Sequence, residues 1–125
     1  MTSPFERFRV SPGRVEKPWG HELHYALTDR YCGKLLFVRA GEALSLQYHE
    51  RKDESWYVES GEARLEVGTL SGERDIVEIR PGDAFHFPPG TVHRITALTD
   101  TVILEVATPE LEDVVRLEDR YERAG

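Results

Sequence analysis

The sequence predicts an all-β domain: a small barrel or double-sheet jelly roll, finished by a short C-terminal helix. Short apolar-rich runs recur between residues 15 and 108, broken at regular intervals by Gly, Pro and Asp turns. Where the phase is clearest it has period two, with Ser45, Gln47 and His49 on one side and Leu44, Leu46 and Tyr48 on the other. From residue 109 to 123 the text changes. Glycine disappears, and Leu111, Val114, Val115 and Leu117 form an apolar stripe behind a Thr108 cap and Pro109, which reads as a helix packed on the barrel.

The elements follow in order. Residues 1–14, with Pro4, Pro12 and Gly13, read as an N-terminal arm; residues 15–108 form the barrel; residues 109–125 form the helix and tail. Strands are expected at 34–39, 43–49, 75–80, 84–87, 93–97 and 102–108, with a hairpin of 54–60 and 62–67 around Ser60-Gly61. Pro81-Gly82-Asp83 and Pro88-Pro89-Gly90 mark sharp turns.

A chain of 125 residues fits one domain with a real core. Sixteen basic against 23 acidic residues give a net charge of -7, which argues against nucleic acid and anionic membranes as main partners. The single cysteine, Cys32, has no internal disulfide partner and suggests a reducing compartment. No run approaches membrane-spanning length and no secretory pattern opens the chain, so a cytoplasmic location is expected. The arm could add a strand to a neighbour's sheet edge, which makes a homodimer the expected assembly.

Four residues carry the chemistry: Gln47, His49, Glu54 and His93. Gln47 and His49 share a strand face, Glu54 follows after one charged connection, and His93 follows the Pro-Pro-Gly turn. Two imidazoles, a carboxylate and an amide oxygen suit one divalent ion: zinc, manganese, iron, cobalt or nickel rather than calcium. Four protein donors leave one or two positions open on a five- or six-coordinate ion, as catalysis requires.

These residues, with Gly41, Gly61, Gly82, Pro88 and Gly90 at their spacing, resemble the two motifs of the cupin superfamily. Gln47 stands where the first motif usually has histidine, and Ala97 where the second often ends in asparagine. Glutamine followed by His49 is the arrangement of phosphomannose isomerases. Glu16-Lys17-Pro18-Trp19-Gly20, Leu44-Ser45-Leu46-Gln47-Tyr48-His49, Pro89-Gly90-Thr91-Val92-His93-Arg94 and Val114-Val115-Arg116-Leu117-Glu118-Asp119-Arg120-Tyr121 resemble the isomerase domain of bifunctional mannose-6-phosphate isomerase/mannose-1-phosphate guanylyltransferases, over residues 15–122. The nucleotidyltransferase half of those enzymes is absent, so guanylyl transfer is not expected. Glu50-Arg51-Lys52-Asp53 also lacks their additional histidines.

The resemblance implies a cupin jelly roll and a metal-dependent aldose-ketose isomerase acting on a sugar phosphate through an enediolate. Such a reaction needs a base near the migrating proton and a cation for the phosphate. Glu105, an acid inside an apolar strand, and His86, between Phe85 and Phe87, are the candidates for the base. Arg94 and Lys17 are the candidates for the phosphate, with a structural ion pair as the other reading of Arg94. Trp19 is read as core. The competing functions are another metal-dependent cupin enzyme, such as a dioxygenase or an isomerase of a different sugar, and a non-catalytic sugar- or metabolite-binding cupin.

Overall fold

The computed structural model describes residues 4–123. After a single 3-10 turn at Glu6–Phe8 come β1 (Gly13–Lys17), β2 (Gly20–Leu27), β3 (Cys32–Val38), β4 (Leu46–Tyr48), β5 (Glu54–Ser60), β6 (Ala63–Gly68), β7 (Arg74–Ile79), β8 (Ala84–Phe87), β9 (Val92–Ala97), β10 (Thr101–Ala107) and β11 (Val115–Glu118). The strands form two antiparallel sheets, β1-β2-β3-β10-β5-β8 and β11-β4-β9-β6-β7. Leu36, Val58, Leu65, Ile79, Ile95 and Ile103 fill the space between the two sheets, where alternate residues of each strand must point.

The all-β expectation holds, and two local expectations do not. The stretch around Ser60-Gly61 is a corner rather than a hairpin: β5 pairs with β10 and β8, while β6 pairs with β7 and β9. Gly61 makes the crossing between sheets at φ +83, where a Cβ would collide with the Asp100 carbonyl.

The expected C-terminal helix is absent. Residues 109–114 form tight turns, with the Leu111 N–H bonding the Pro109 carbonyl at 2.8 Å and that of Val114 the Glu112 carbonyl at 3.0 Å. The chain then adds β11 to the edge of β4, with Val115 opposite Tyr48 and Arg116 opposite Gln47. Helical spacing of apolar residues lost to two tertiary effects. The β4 edge offered unpaired backbone groups, and the β-branched pair Val114-Val115 suits a strand better than a helix. The tail is tied down further where Tyr121 donates its hydroxyl hydrogen to Glu42 and Arg120 Nη1 donates to the Gly41 carbonyl at 2.7 Å. At the other end, β1 begins at Gly13, so the last two residues of the expected arm belong to the sheet.

Candidate metal centre

The apolar filling gives way to charge at one end of the sandwich. Along β10 the inward residues run Ile103, then Glu105. Across the ladder Glu105 lies opposite Lys34 of β3 and Trp56 of β5. Glu54 opens β5 in one sheet, His93 lies near the start of β9 in the other, and His49 follows β4. The two sheets therefore deliver the donors from opposite walls. Glu54 Oε2 is 3.2 Å from His49 Nε2, Glu54 Oε1 is 2.9 Å from His93 Nε2, and one ligating atom from each residue lies within 4.8 Å of the others. All three side chains are buried.

The imidazole tautomers follow from their second contacts. His93 Nδ1 lies 2.9 Å from the Thr91 carbonyl, and His49 Nδ1 contacts the Asp113 carbonyl. A carbonyl only accepts, so each Nδ1 is a donor, and in a neutral ring Nε2 carries the lone pair. The His93 ring is held by stacking on Phe87 at 4.5 Å and by the edge contact with Trp56 at 5.4 Å. Two ring lone pairs and both Glu54 oxygens thus converge in a buried space, and none of these four atoms has a hydrogen-bond partner. Burial alone would push the Glu54 carboxyl up. With a proton on Nε2 in place of a metal, the His49 and His93 rings donate to Glu54 and, together with the Lys52 ammonium, outweigh burial and hold the carboxyl below the usual carboxylate range.

An acceptor-only cluster calls for a cation. Donors at right angles around an ion, each about 2.1 Å from it, lie ~3.0 Å apart, which matches the spacing of Glu54 from the two rings. The residues therefore fit a divalent metal. Each histidine also carries the backbone acceptor on its other nitrogen that orients metal-binding imidazoles.

Gln47 sits opposite His93 in the β4–β9 ladder and lines the same cavity as His49. Its Oε1 accepts a 2.7 Å hydrogen bond from Ser45 Oγ, which leaves a second lone pair for a metal. The cavity, about 140 Å³, is also lined by Lys17, Lys34, Lys52, Arg116, Glu22 and Glu105. Four cationic side chains, Lys17, Lys34, Lys52 and Arg116, thus gather at this cavity in a chain of net charge -7. Lys52 Nζ stands 3.0 Å from Glu54 Oε2 and 3.1 Å from Glu105 Oε2. Burial would lower its pKa, but Glu105 and Glu54 outweigh burial and hold the ammonium above its ordinary range. Glu105 Oε1 accepts the Trp56 indole N–H at 3.1 Å, while Glu22 meets His24 at 2.8 Å and Lys34 at 3.4 Å.

Of the other expected site residues, Glu105 and Lys17 line this cavity, and Trp19 is core. His86 and Arg94 are elsewhere. His86 projects from the outer face of β8, 60% exposed, and its Nε2 meets Asp53 Oδ1 at 2.6 Å. Phe87, the next residue, takes the inward phase. Arg94 is one residue from His93 and therefore on the opposite face of β9, where it pairs with Glu66 at 2.8 Å and Glu118 at 3.5 Å. The pleat excludes both from the cavity.

Lys52, Lys34, Glu22, Arg116 and Asp113 were missed. Lys34 carried a signal, since it shares the inward phase of Leu36 and Val38. Lys52 lies in an irregular connection with no phase to read. Its course is set by Asp113, whose carboxylate accepts backbone N–H groups from Glu50, Arg51 and Lys52 at 3.1, 2.7 and 2.8 Å.

A two-sheet antiparallel barrel with a buried His/Glu/His cluster at one end defines the class. The chain belongs to the Cupin domain family, whose profile matches residues 34–107. It is similar to the mannose-1-phosphate guanylyltransferase ManC of Salmonella typhimurium, with 33% identity over 114 residues, 87% of this chain and 23% of ManC. It is also similar to the xanthan biosynthesis protein XanB of Xanthomonas campestris, with 29% identity over 115 residues, 88% of this chain and 24% of XanB. The chain thus spans less than a quarter of the length of these relatives. Among solved structures, KdgF from Halomonas sp. matches with a TM-score of 0.66 and 26% identity, covering 82% of this chain and 91% of KdgF. Oxalate decarboxylase from Bacillus subtilis matches with a TM-score of 0.71 over 85% of this chain and 30% of that one; at 18% identity the likeness is one of fold. Among the described residues, no helix is long and apolar enough to cross a membrane.

Proposed function

We propose that the protein is a metal-dependent sugar-phosphate isomerase of the mannose-6-phosphate isomerase kind, interconverting an aldose and a ketose. The observation that carries this reading is the buried His49–Glu54–His93 cluster, which meets a lysine-lined cavity at His49. Similarity to enzymes named for mannose 1-phosphate supports a phosphorylated hexose as the substrate. His49, Glu54 and His93 would hold the metal, with Gln47 as fourth donor. When bound, the metal supplies a Lewis acid that polarises the sugar carbonyl and offsets charge developing on adjacent oxygens.

The remaining roles fall to cavity residues. Lys17 and Arg116 supply positive charge for the phosphate. Glu105 is the carboxylate left for proton transfer once Glu54 serves the metal and Glu22 is engaged by His24 and Lys34. The Trp56 indole fixes one Glu105 oxygen and leaves the other facing Lys52, a geometry suited to taking a proton from one sugar carbon and returning it to its neighbour. The test is a coupled assay with metal-loaded protein. Mannose 6-phosphate and fructose 6-phosphate should interconvert, a chelator should abolish turnover, and divalent metal should restore it. Absence of turnover on every hexose phosphate by metal-replete protein would overturn the isomerase reading.

A further inference from the structure

We infer that Lys52 recognises negative charge at the metal-bound end of the ligand, and that it is released for this role when a divalent ion takes the Glu54 carboxylate. The inference rests on the metal part of the preceding reading and not on isomerisation. Lys52 is a buried ammonium whose Nζ lies 3.0 Å from Glu54 Oε2, the same oxygen that faces His49 Nε2 at 3.2 Å. Its other contact, Glu105 Oε2, is at 3.1 Å. The two carboxylates hold the ammonium between them, and its contact with Glu54 is made to an oxygen that also faces the metal-site histidine His49.

A divalent ion among His49, Glu54 and His93 would draw the Glu54 charge to itself and place like charge beside Lys52. Buried charges are poorly screened. The repulsion is relieved by an oxyanion that touches both cations. Because Lys52 stands at hydrogen-bond distance from a metal donor atom, such an oxyanion must lie within a bond or two of the oxygen on the metal. A phosphate at the far end of a hexose chain does not satisfy that limit; the cavity lining offers Lys17 and Arg116 to it. The chemistry that fits is a vicinal oxygen pair carrying negative charge: a 2-hydroxy- or 2-oxocarboxylate, or the deprotonated oxygens of an opened sugar. Ion and anion then strengthen each other's binding reciprocally, with Lys52 as the coupling element.

The experiment is calorimetric titration of manganese into metal-free protein and its Lys52→Met variant, alone and with glycolate, ethylene glycol or inorganic phosphate. Without additive, Lys52→Met should bind manganese roughly 5-fold more tightly than wild type, because the repelling ammonium is gone. Glycolate should raise wild-type manganese affinity about 10-fold and that of Lys52→Met less than about 2-fold, while uncharged ethylene glycol changes neither. Lys52→Met deprives buried Glu105 of a cation, so the double variant Lys52→Met/Glu105→Gln serves as the folded control and should show the same lost coupling. An equal glycolate effect in all three proteins, coupling to phosphate but not glycolate, or no tighter manganese binding by the variants would overturn the role of Lys52. Failure of wild type to bind manganese would overturn the metal site as well. Glycolate coupling without hexose-phosphate turnover would sink only the isomerase reading.

Discussion

Asp53 and Glu54 are adjacent acids, and each meets a histidine at a similar distance. Asp53 Oδ1 lies 2.6 Å from His86 Nε2, and Glu54 Oε1 lies 2.9 Å from His93 Nε2. The first pair is about half exposed on the outer face; the second is 1% exposed at both ends. The pleat of β5 and the chain entering it send the two carboxylates to opposite sides. On the outer face solvent can satisfy whatever the pair leaves unmet, and the contact is an ordinary surface hydrogen bond. Inside, the rings and both carboxylate oxygens are buried. Two ring lone pairs and two carboxylate oxygens then create a demand for positive charge, which Lys52 meets in part. Arg94 repeats the lesson: one residue from His93, it makes surface ion pairs rather than site contacts. Position relative to the pleat decides chemistry, and contact length alone does not.

Replacing the inner and outer acids tests this contrast most strongly. Glu54→Ala should cost more in divalent-metal affinity than the roughly 10–100-fold typical of losing an outer partner, read by calorimetry, while Asp53→Ala should stay within about 2-fold of wild type. Comparable losses from both would erase the distinction.

A middle-sized effect is expected at Asp113, which connects the two regions. Its carboxylate ties the backbone of Glu50, Arg51 and Lys52, and its carbonyl orients His49. Asp113→Asn should lower unfolding free energy in urea by about 1–3 kcal/mol and weaken metal binding through the loosened His49. Burial tends to raise the Asp113 carboxyl, but the N–H groups of Arg51, Lys52 and Glu50 outweigh it and leave it lowered. A lowered folded-state pKa means this stabilisation is full above the ordinary aspartate range and fades as pH falls through the depressed value. Acid titration of wild type should show that loss, and the variant should lack it; matching acid profiles would remove Asp113 from this role.

The smallest effects belong to the outer face. His86→Ala and Arg94→Ala should each change stability by less than about 1 kcal/mol, measured by urea unfolding. Metal and glycolate binding should stay unchanged. A marked loss of ligand affinity in Arg94→Ala would return that residue to the site.

The alternation of polar and apolar residues and the Gly and Pro turns were legible, because they reflect local backbone geometry and the period of the strand. The candidate metal cluster was legible for the same reason: Gln47 and His49 share a phase, and imidazole and carboxylate side chains announce their own chemistry. Glu105 was legible as an anomaly in an apolar strand, and the structure buries it beside Ile103 in the inward phase. Arg94 stood between a phosphate contact and a structural ion pair, and it pairs with Glu66 and Glu118; His86 lies on the outer face of β8, against Asp53.

The sequence alone determined an all-β chain and most of its turns, and it singled out His49, Glu54 and His93, which the structure brings together, since these depend on residue identity and spacing over a few residues. Only the tertiary structure decided that residues 109–118 end in a strand rather than a helix, that Ser60-Gly61 is a corner between sheets, and that Lys52, Lys34 and Arg116 line one cavity. Sheet pairing and charge balance in a buried space arise between residues distant in the chain, and local propensity holds no record of which distant partner will arrive.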